Sequence, residues 1–126
     1  MSIEHLALWT RELDGMRDFY ETHFGATAGE RYHNPHKGFT SYFLSFGSGA
    51  RLELMQRTDV TADNATERLG YAHFAVSVGS KARVNELIET LRAAGVRIAG
   101  EPRTTGDGYY ESVVLDLEGN RIELTV

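Results

Sequence analysis

The sequence predicts an α+β fold in which two tandem βαβββ modules form a curved mixed sheet around a cavity, with the helices on the outside. Three observations carry this reading. The tetrapeptide Arg51-Leu52-Glu53-Leu54 returns as Arg121-Ile122-Glu123-Leu124, and each is preceded by a matching His-bearing run, Glu4-His5-Leu6-Ala7-Leu8 or Ala72-His73-Phe74-Ala75-Val76. Between these landmarks both halves pass through a helical pattern closed by Gly, then a loop, then a hairpin, as expected of one unit built twice. In all four strands the aliphatic residues flank the His or Glu, which places them on opposite faces of the pleat.

The first strand spans Ile3 to Trp9, with Leu6 and Leu8 on one face and His5, Ala7 and Trp9 on the other. Leu13, Met16, Phe19, Tyr20, His23 and Phe24 recur at helical steps, and Gly25 follows as the stop. Residues 26 to 38 have turn chemistry and no sustained periodicity and are expected to form a loop, with or without a short irregular strand. Ser41 to Phe46 is a strand, Gly47-Ser48-Gly49 a hairpin turn, and Arg51 to Gln56 the return strand. The polar run Thr58 to Gly70 links the modules.

The second module restarts at Tyr71 to Val78, again with His73 opposite the aliphatic residues. Ser80 caps a helix whose stripe is Val84, Leu87, Ile88 and Leu91, and Gly95 closes it. After Val96 to Ala99, residues 100 to 108 carry Arg103 in a loop ahead of Tyr109. The strand Tyr109 to Leu117, the turn Glu118-Gly119-Asn120 and the strand Arg121 to Val126 complete the module. The expected organisation is therefore a single domain over residues 1–126, with module one at about 1–57, a linker at 58–70 and module two at 71–126.

With 126 residues and 41% hydrophobic content, the chain has enough apolar material for one core. Thirteen basic against eighteen acidic residues give a net charge of -5. There is no basic run, so nucleic acid is not an expected partner. The absence of cysteine rules out disulfides and thiolate ligands. No apolar stretch approaches membrane length and no leader pattern opens the chain, so the expectation is a cytoplasmic protein with no membrane partner.

Two His and two Glu at repeat-related positions of one parity have the residue types of a divalent metal site. Two neutral imidazoles and two carboxylates balance the charge of such an ion and leave positions for further oxygen ligands. A lone strand His or Glu is usually structural or solvated, but four placed by one repeat favour a metal. His33 and His36, in a polar loop beside Lys37, are expected at the surface, and His23 is expected to pack on its helix. Tyr109 and Tyr110 fit ordinary sheet positions. Trp9 shares the parity of His5 and is placed to line the cavity, and Arg103 is a candidate for binding an anionic end of a substrate.

Together and in order, Ile3-Glu4-His5-Leu6-Ala7-Leu8, Asp18-Phe19-Tyr20 ahead of Phe24-Gly25, the two Arg-bearing tetrapeptides, Ala72-His73-Phe74-Ala75-Val76 and Asp116-Leu117-Glu118-Gly119-Asn120 resemble the vicinal oxygen chelate superfamily, and within it the short glyoxalase I-type proteins. The resemblance covers essentially the whole chain. It implies that His5, Glu53, His73 and Glu123 are the ligands of one divalent metal ion per site, nickel or cobalt in preference to zinc or manganese. It also implies a lyase or isomerase acting on a 2-oxo or 2-hydroxy adduct such as a hemithioacetal, with Glu123 the principal base and Glu53 a second proton carrier. The expected partners are a small-molecule substrate and a second copy of the chain, because each half-sheet leaves an open edge and face.

Trp9 and Arg57 stand where relatives have polar contacts to glutathione. They are therefore assigned to substrate binding, and the glutathione adduct is not the expected substrate. The alternatives within the superfamily are a drug-binding protein of the bleomycin resistance type, a fosfomycin-modifying enzyme, an epimerase and an extradiol dioxygenase. Glu53 argues against the fosfomycin and dioxygenase types, which generally lack a coordinating Glu there.

Overall fold

The computed structural model describes residues 2–62 and 69–126. It divides into two compact units, Met1–Asp63 and Asn64–Val126. Of the expected linker, residues 63–68 lie outside the described residues. Its start, Thr58 and Asp59, makes a turn closed by the Val60 N–H donating to the Arg57 carbonyl at 3.1 Å.

The first unit contains β1 (His5–Trp9), α1 (Leu13–Phe24), β2 (Thr27–Ala28), β3 (Tyr32–Asn34), a 3-10 turn (Pro35–Lys37), β4 (Phe39–Ser45) and β5 (Arg51–Arg57). The sheet order is β1-β5-β4-β2, and β3 also pairs with β4. The sheet is mixed, since β1 runs parallel to β5 and the other pairs are antiparallel. The loop expected over residues 26 to 38 thus contributes two short strands, β2 and β3, to the sheet edge. Gly25, at φ 64, ends α1 as expected and donates its N–H to the Tyr20 carbonyl. Leu13, Met16, Phe19 and Tyr20 of α1 are buried, as are Tyr42, Leu44, Leu52 and Leu54 of the strands α1 packs against. Each such aliphatic side chain contributes roughly 1.5–3 kcal/mol on burial.

The second unit contains β6 (His73–Ser77), α2 (Lys81–Ala93), β7 (Ile98–Thr104), β8 (Tyr110–Leu115) and β9 (Arg121–Thr125), in sheet order β6-β9-β8-β7. Again the first and last strands pair in parallel and the others antiparallel. The Ser80 hydroxyl accepts from the Arg83 N–H at 3.2 Å and caps α2. Val84, Ile88 and Leu91 are buried, as are Val114, Ile122 and Leu124. The fold is therefore the predicted two-module α+β arrangement, realised as two mixed sheets; among the described residues neither sheet closes into a barrel.

One sequence expectation fails in this unit. Arg103 lies on β7, not in a loop, because the strand runs from Ile98 to Thr104 through Gly100 and Pro102. Register shifts on either side of Gly100 absorb the irregularity, and β7 is an edge strand, the kind of strand in which proline is tolerated. No helix among the described residues is long and apolar enough to cross a membrane.

Candidate functional site

In the first unit the register sets Ala7 beside Glu53 and His5 beside Arg51 on β1 and β5, and Phe43 opposite Glu53 on β4. His5, Ala7, Trp9, Arg51, Glu53, Met55 and Arg57 consequently share the face opposite the α1 core. In the second unit Ala75 pairs with Glu123 and His73 with Arg121, which reproduces the arrangement strand for strand. Each unit thereby presents one imidazole and one carboxylate from neighbouring parallel strands.

His73 Nε2 lies 3.2 Å from Glu123 Oε2, and His5 Nε2 lies 3.9 Å from Glu53 Oε2. Neighbouring donors on a metal with bonds of about 2.1 Å sit roughly 3 Å apart, a spacing that the His73–Glu123 pair matches and that the His5–Glu53 pair exceeds by nearly an ångström. The Glu53 and Glu123 side chains are only 16% and 20% exposed, and the His ring beside each is the one partner it has among the described residues. Among the described residues no unit gathers three or more His, Asp or Glu side chains into a metal-holding group. Each unit supplies a pair.

The two pairs are not equivalent. His5 Nδ1 lies 2.5 Å from Glu4 Oε2, and Glu4 also takes a hydrogen bond from Arg51. An ionised carboxylate can only accept, so Nδ1 carries a proton and donates it to Glu4, while Nε2 lies on the side of Glu53. The hydrogen bond to His5, and then that to Arg51, hold the Glu4 carboxyl below its ordinary 4.5. Ala72 stands at the corresponding place in the second unit, and among the described residues His73 has no such orienting carboxylate.

Trp9 and Arg57, assigned to substrate binding, come together. The Arg57 guanidinium sits over the indole, 5.1 Å from the ring centroid, and its Nε donates to Asp59 at 2.5 Å. That contact holds the Asp59 carboxyl below its usual range. Arg103 belongs to the second unit, where its guanidinium reaches the largely buried Glu111 at 3.3 Å. A substrate anion would have to compete with that carboxylate. His33 Nδ1 bonds the Thr40 hydroxyl at 2.9 Å and His36 is exposed in the 3-10 turn. His23 packs on Phe19, with ring centroids 5.1 Å apart.

A family model described as the Glyoxalase/Bleomycin resistance protein/Dioxygenase superfamily matches residues 2–124. The chain belongs to this superfamily. Among solved structures, this superfamily member is similar to the trypanothione-dependent glyoxalase I of Leishmania major, with 27% identity, 99% of this chain and 86% of that chain covered, and a TM-score of 0.80. It is also similar to glyoxalase I from Zea mays, with 26% identity and a TM-score of 0.82, where 98% of this chain matches 44% of that one. A glyoxylase/bleomycin resistance protein/dioxygenase domain from Frankia sp. EAN1pec shares the fold, at 18% identity and a TM-score of 0.86 with 100% and 97% of the two chains covered. No curated protein matches the chain significantly.

Sequence reasoning missed Glu4 and Arg51 as supports of His5, Glu111 as the partner of Arg103, and the residues that join Trp9 and Arg57 around a depression, Tyr32, Asn34, Lys37 and Phe39. The adjacency of Glu4 to His5 was a readable signal. The others depend on which residues face each other across strands, which spacing along the chain does not specify.

Proposed function

We infer that this superfamily member is a metal-dependent lyase or isomerase of glyoxalase I type, acting on a 2-oxo or 2-hydroxy adduct such as a hemithioacetal. The observation that carries the reading is the pairing of His with Glu from neighbouring parallel strands in both units, His5 with Glu53 and His73 with Glu123, on the face opposite the helix. These four side chains would hold one divalent ion, with nickel or cobalt preferred to zinc or manganese. When bound, the ion supplies Lewis-acid polarisation of a substrate carbonyl or hydroxyl oxygen. His5 and His73 would hold the ion through ring nitrogens, and Glu4, accepting from Nδ1, would orient the His5 ring for it. Glu123 would take the proton from the carbon that bears the hydroxyl and return it to the former carbonyl carbon, while the hydroxyl proton passes to the former carbonyl oxygen, so the isomerisation balances without an external acid. Glu53 is the second carboxylate able to carry that proton.

The thiol handle differs from glutathione in this reading, since Trp9 and Arg57, stacked as an indole–guanidinium pair, stand in place of the residues that contact glutathione in relatives. The Leishmania enzyme is described as trypanothione-dependent, so the carrier need not be glutathione throughout the fold. The chain is expected to act as a homodimer in the cytoplasm. The deciding experiment loads the protein with nickel, cobalt, manganese and zinc in turn, measures bound metal, and follows isomerisation of methylglyoxal adducts of several thiols. Glu123→Gln should lower turnover by at least about a hundredfold while leaving the fold intact. A protein that takes up none of the four metals would refute the reading.

A further inference from the structure

The first unit contains a depression of about 290 Å³ lined by Trp9, Tyr32, Asn34, Lys37, Phe39 and Arg57. We propose that it is a binding site for an aryl carboxylate, the non-reacting end of the substrate on the functional reading above, on which its place in catalysis rests.

The apolar wall is continuous and aromatic. Phe39 meets Trp9 edge-on at 6.2 Å between centroids and an interplanar angle of 90°, and meets Tyr32 at 6.1 Å and 58°. Trp9 is 39% exposed and Tyr32 55% exposed, so an aromatic guest would remove large ring surfaces from water. Such a wall discriminates against a bare inorganic anion, which has no ring to bury.

The charge is one-sided. Among the described residues two cations and no carboxylate line the depression, although the chain as a whole carries a net charge of -5. Among the described residues the Lys37 ammonium has no ion-pair partner, and Arg57 engages Asp59 through Nε alone, leaving its terminal nitrogens for a ligand.

The backbone that carries Lys37 is held in three ways. Asn34 Oδ1 accepts from the Lys37 N–H at 3.3 Å, Gly38 donates back to the Pro35 carbonyl at 3.3 Å, and Gly38 takes the left-handed φ of 57 that a side chain would resist. With its oxygen engaged, Asn34 presents its amide N–H groups as further donors. Cross-strand pairing of Asn34 with Phe39 and of Phe39 with Arg57 ties the two cations to the aromatic wall. A volume at the lower end for ligand pockets suits one ring and its carboxylate, not a whole adduct.

The chain has a single tryptophan, so its one indole N–H resonance reports on this site alone. Metal-free, ¹⁵N-labelled protein is titrated with 2-naphthoate, 2-naphthamide, cyclohexanecarboxylate and inorganic phosphate. 2-Naphthoate should shift the indole resonance saturably and bind at least about tenfold tighter than the other three. Lys37→Gln should weaken 2-naphthoate about tenfold without affecting 2-naphthamide, and Asp59→Asn should strengthen it severalfold by releasing Arg57. An unchanged remainder of the amide spectrum shows that each variant is folded. Equal binding of all four probes, no binding, or no effect of Lys37→Gln would overturn the proposal. Because no metal is present, 2-naphthoate binding by a protein that takes up no metal would remove the catalytic reading and leave this site standing. Metal uptake without 2-naphthoate binding would do the reverse.

Discussion

Replacing Glu4 by Ala removes the carboxylate from His5 Nδ1 without touching any proposed metal ligand. In the wild-type protein that contact is 2.5 Å long and fixes both the tautomer and the angle of the ring. Orienting partners of this kind are worth about 10- to 100-fold in metal affinity. The lower end applies here, because the His5 and Glu4 side chains are 40% and 61% exposed and water can replace part of the contact. The expected result is therefore a loss of about tenfold in cobalt or nickel affinity, measured by competition with a chelator of known strength. Arg51 keeps its contact with the Phe43 ring, 4.2 Å from guanidinium carbon to centroid, so the strand pairing should survive. Glu4→Gln should recover most of the loss, since the amide oxygen can still accept the Nδ1 proton. Affinity within twofold of wild type in Glu4→Ala, alongside a large loss in His5→Ala, would refute the argument that Glu4 orients His5.

Asp116 is 4% exposed and accepts from the backbone N–H groups of Glu118 and Asn120 and from the Asn120 side chain; Asp116→Ala should cost about 1–3 kcal/mol in denaturant unfolding and weaken metal binding by loosening the turn that delivers β9 and Glu123. The pH dependence of Glu4 is also testable: a carboxyl held below 4.5 in the folded state stabilises it fully above that pH and loses the contribution as pH falls through the lowered value. The stability difference between wild type and Glu4→Ala should accordingly fall away as pH drops below 4.5, as followed by thermal unfolding across pH. Light scattering should return the mass of a dimer at micromolar concentration, and a monomer with or without metal would count against the homodimer.

Strand parity is a local property, so the sequence alone determined the features that depend on it. The repeat of Arg51-Leu52-Glu53-Leu54 in Arg121-Ile122-Glu123-Leu124, and the alternation around His5 and His73, sufficed to divide the chain into two modules. They also sufficed to put each His and Glu on the face away from Leu52, Leu54, Ile122 and Leu124, all of which are buried. Helix limits at Gly25 and Ser80 were equally legible, because a left-handed C-cap and a hydroxyl N-cap are chosen by residues a few positions apart. What crosses from strand to strand was decided by tertiary structure. β7 is hidden in sequence by Gly100 and Pro102, which break alternation, and it exists because β8 offers a ladder that tolerates irregular register at an edge. That pairing turns Arg103 from a free loop cation into the partner of Glu111. The aromatic and cationic depression likewise needs β3 folded onto β4 and β4 onto β5 before Tyr32, Lys37, Phe39 and Arg57 meet Trp9. Register between distant segments is set by the burial of whole faces and by loop closure, and neither is visible in the spacing of residues along one strand.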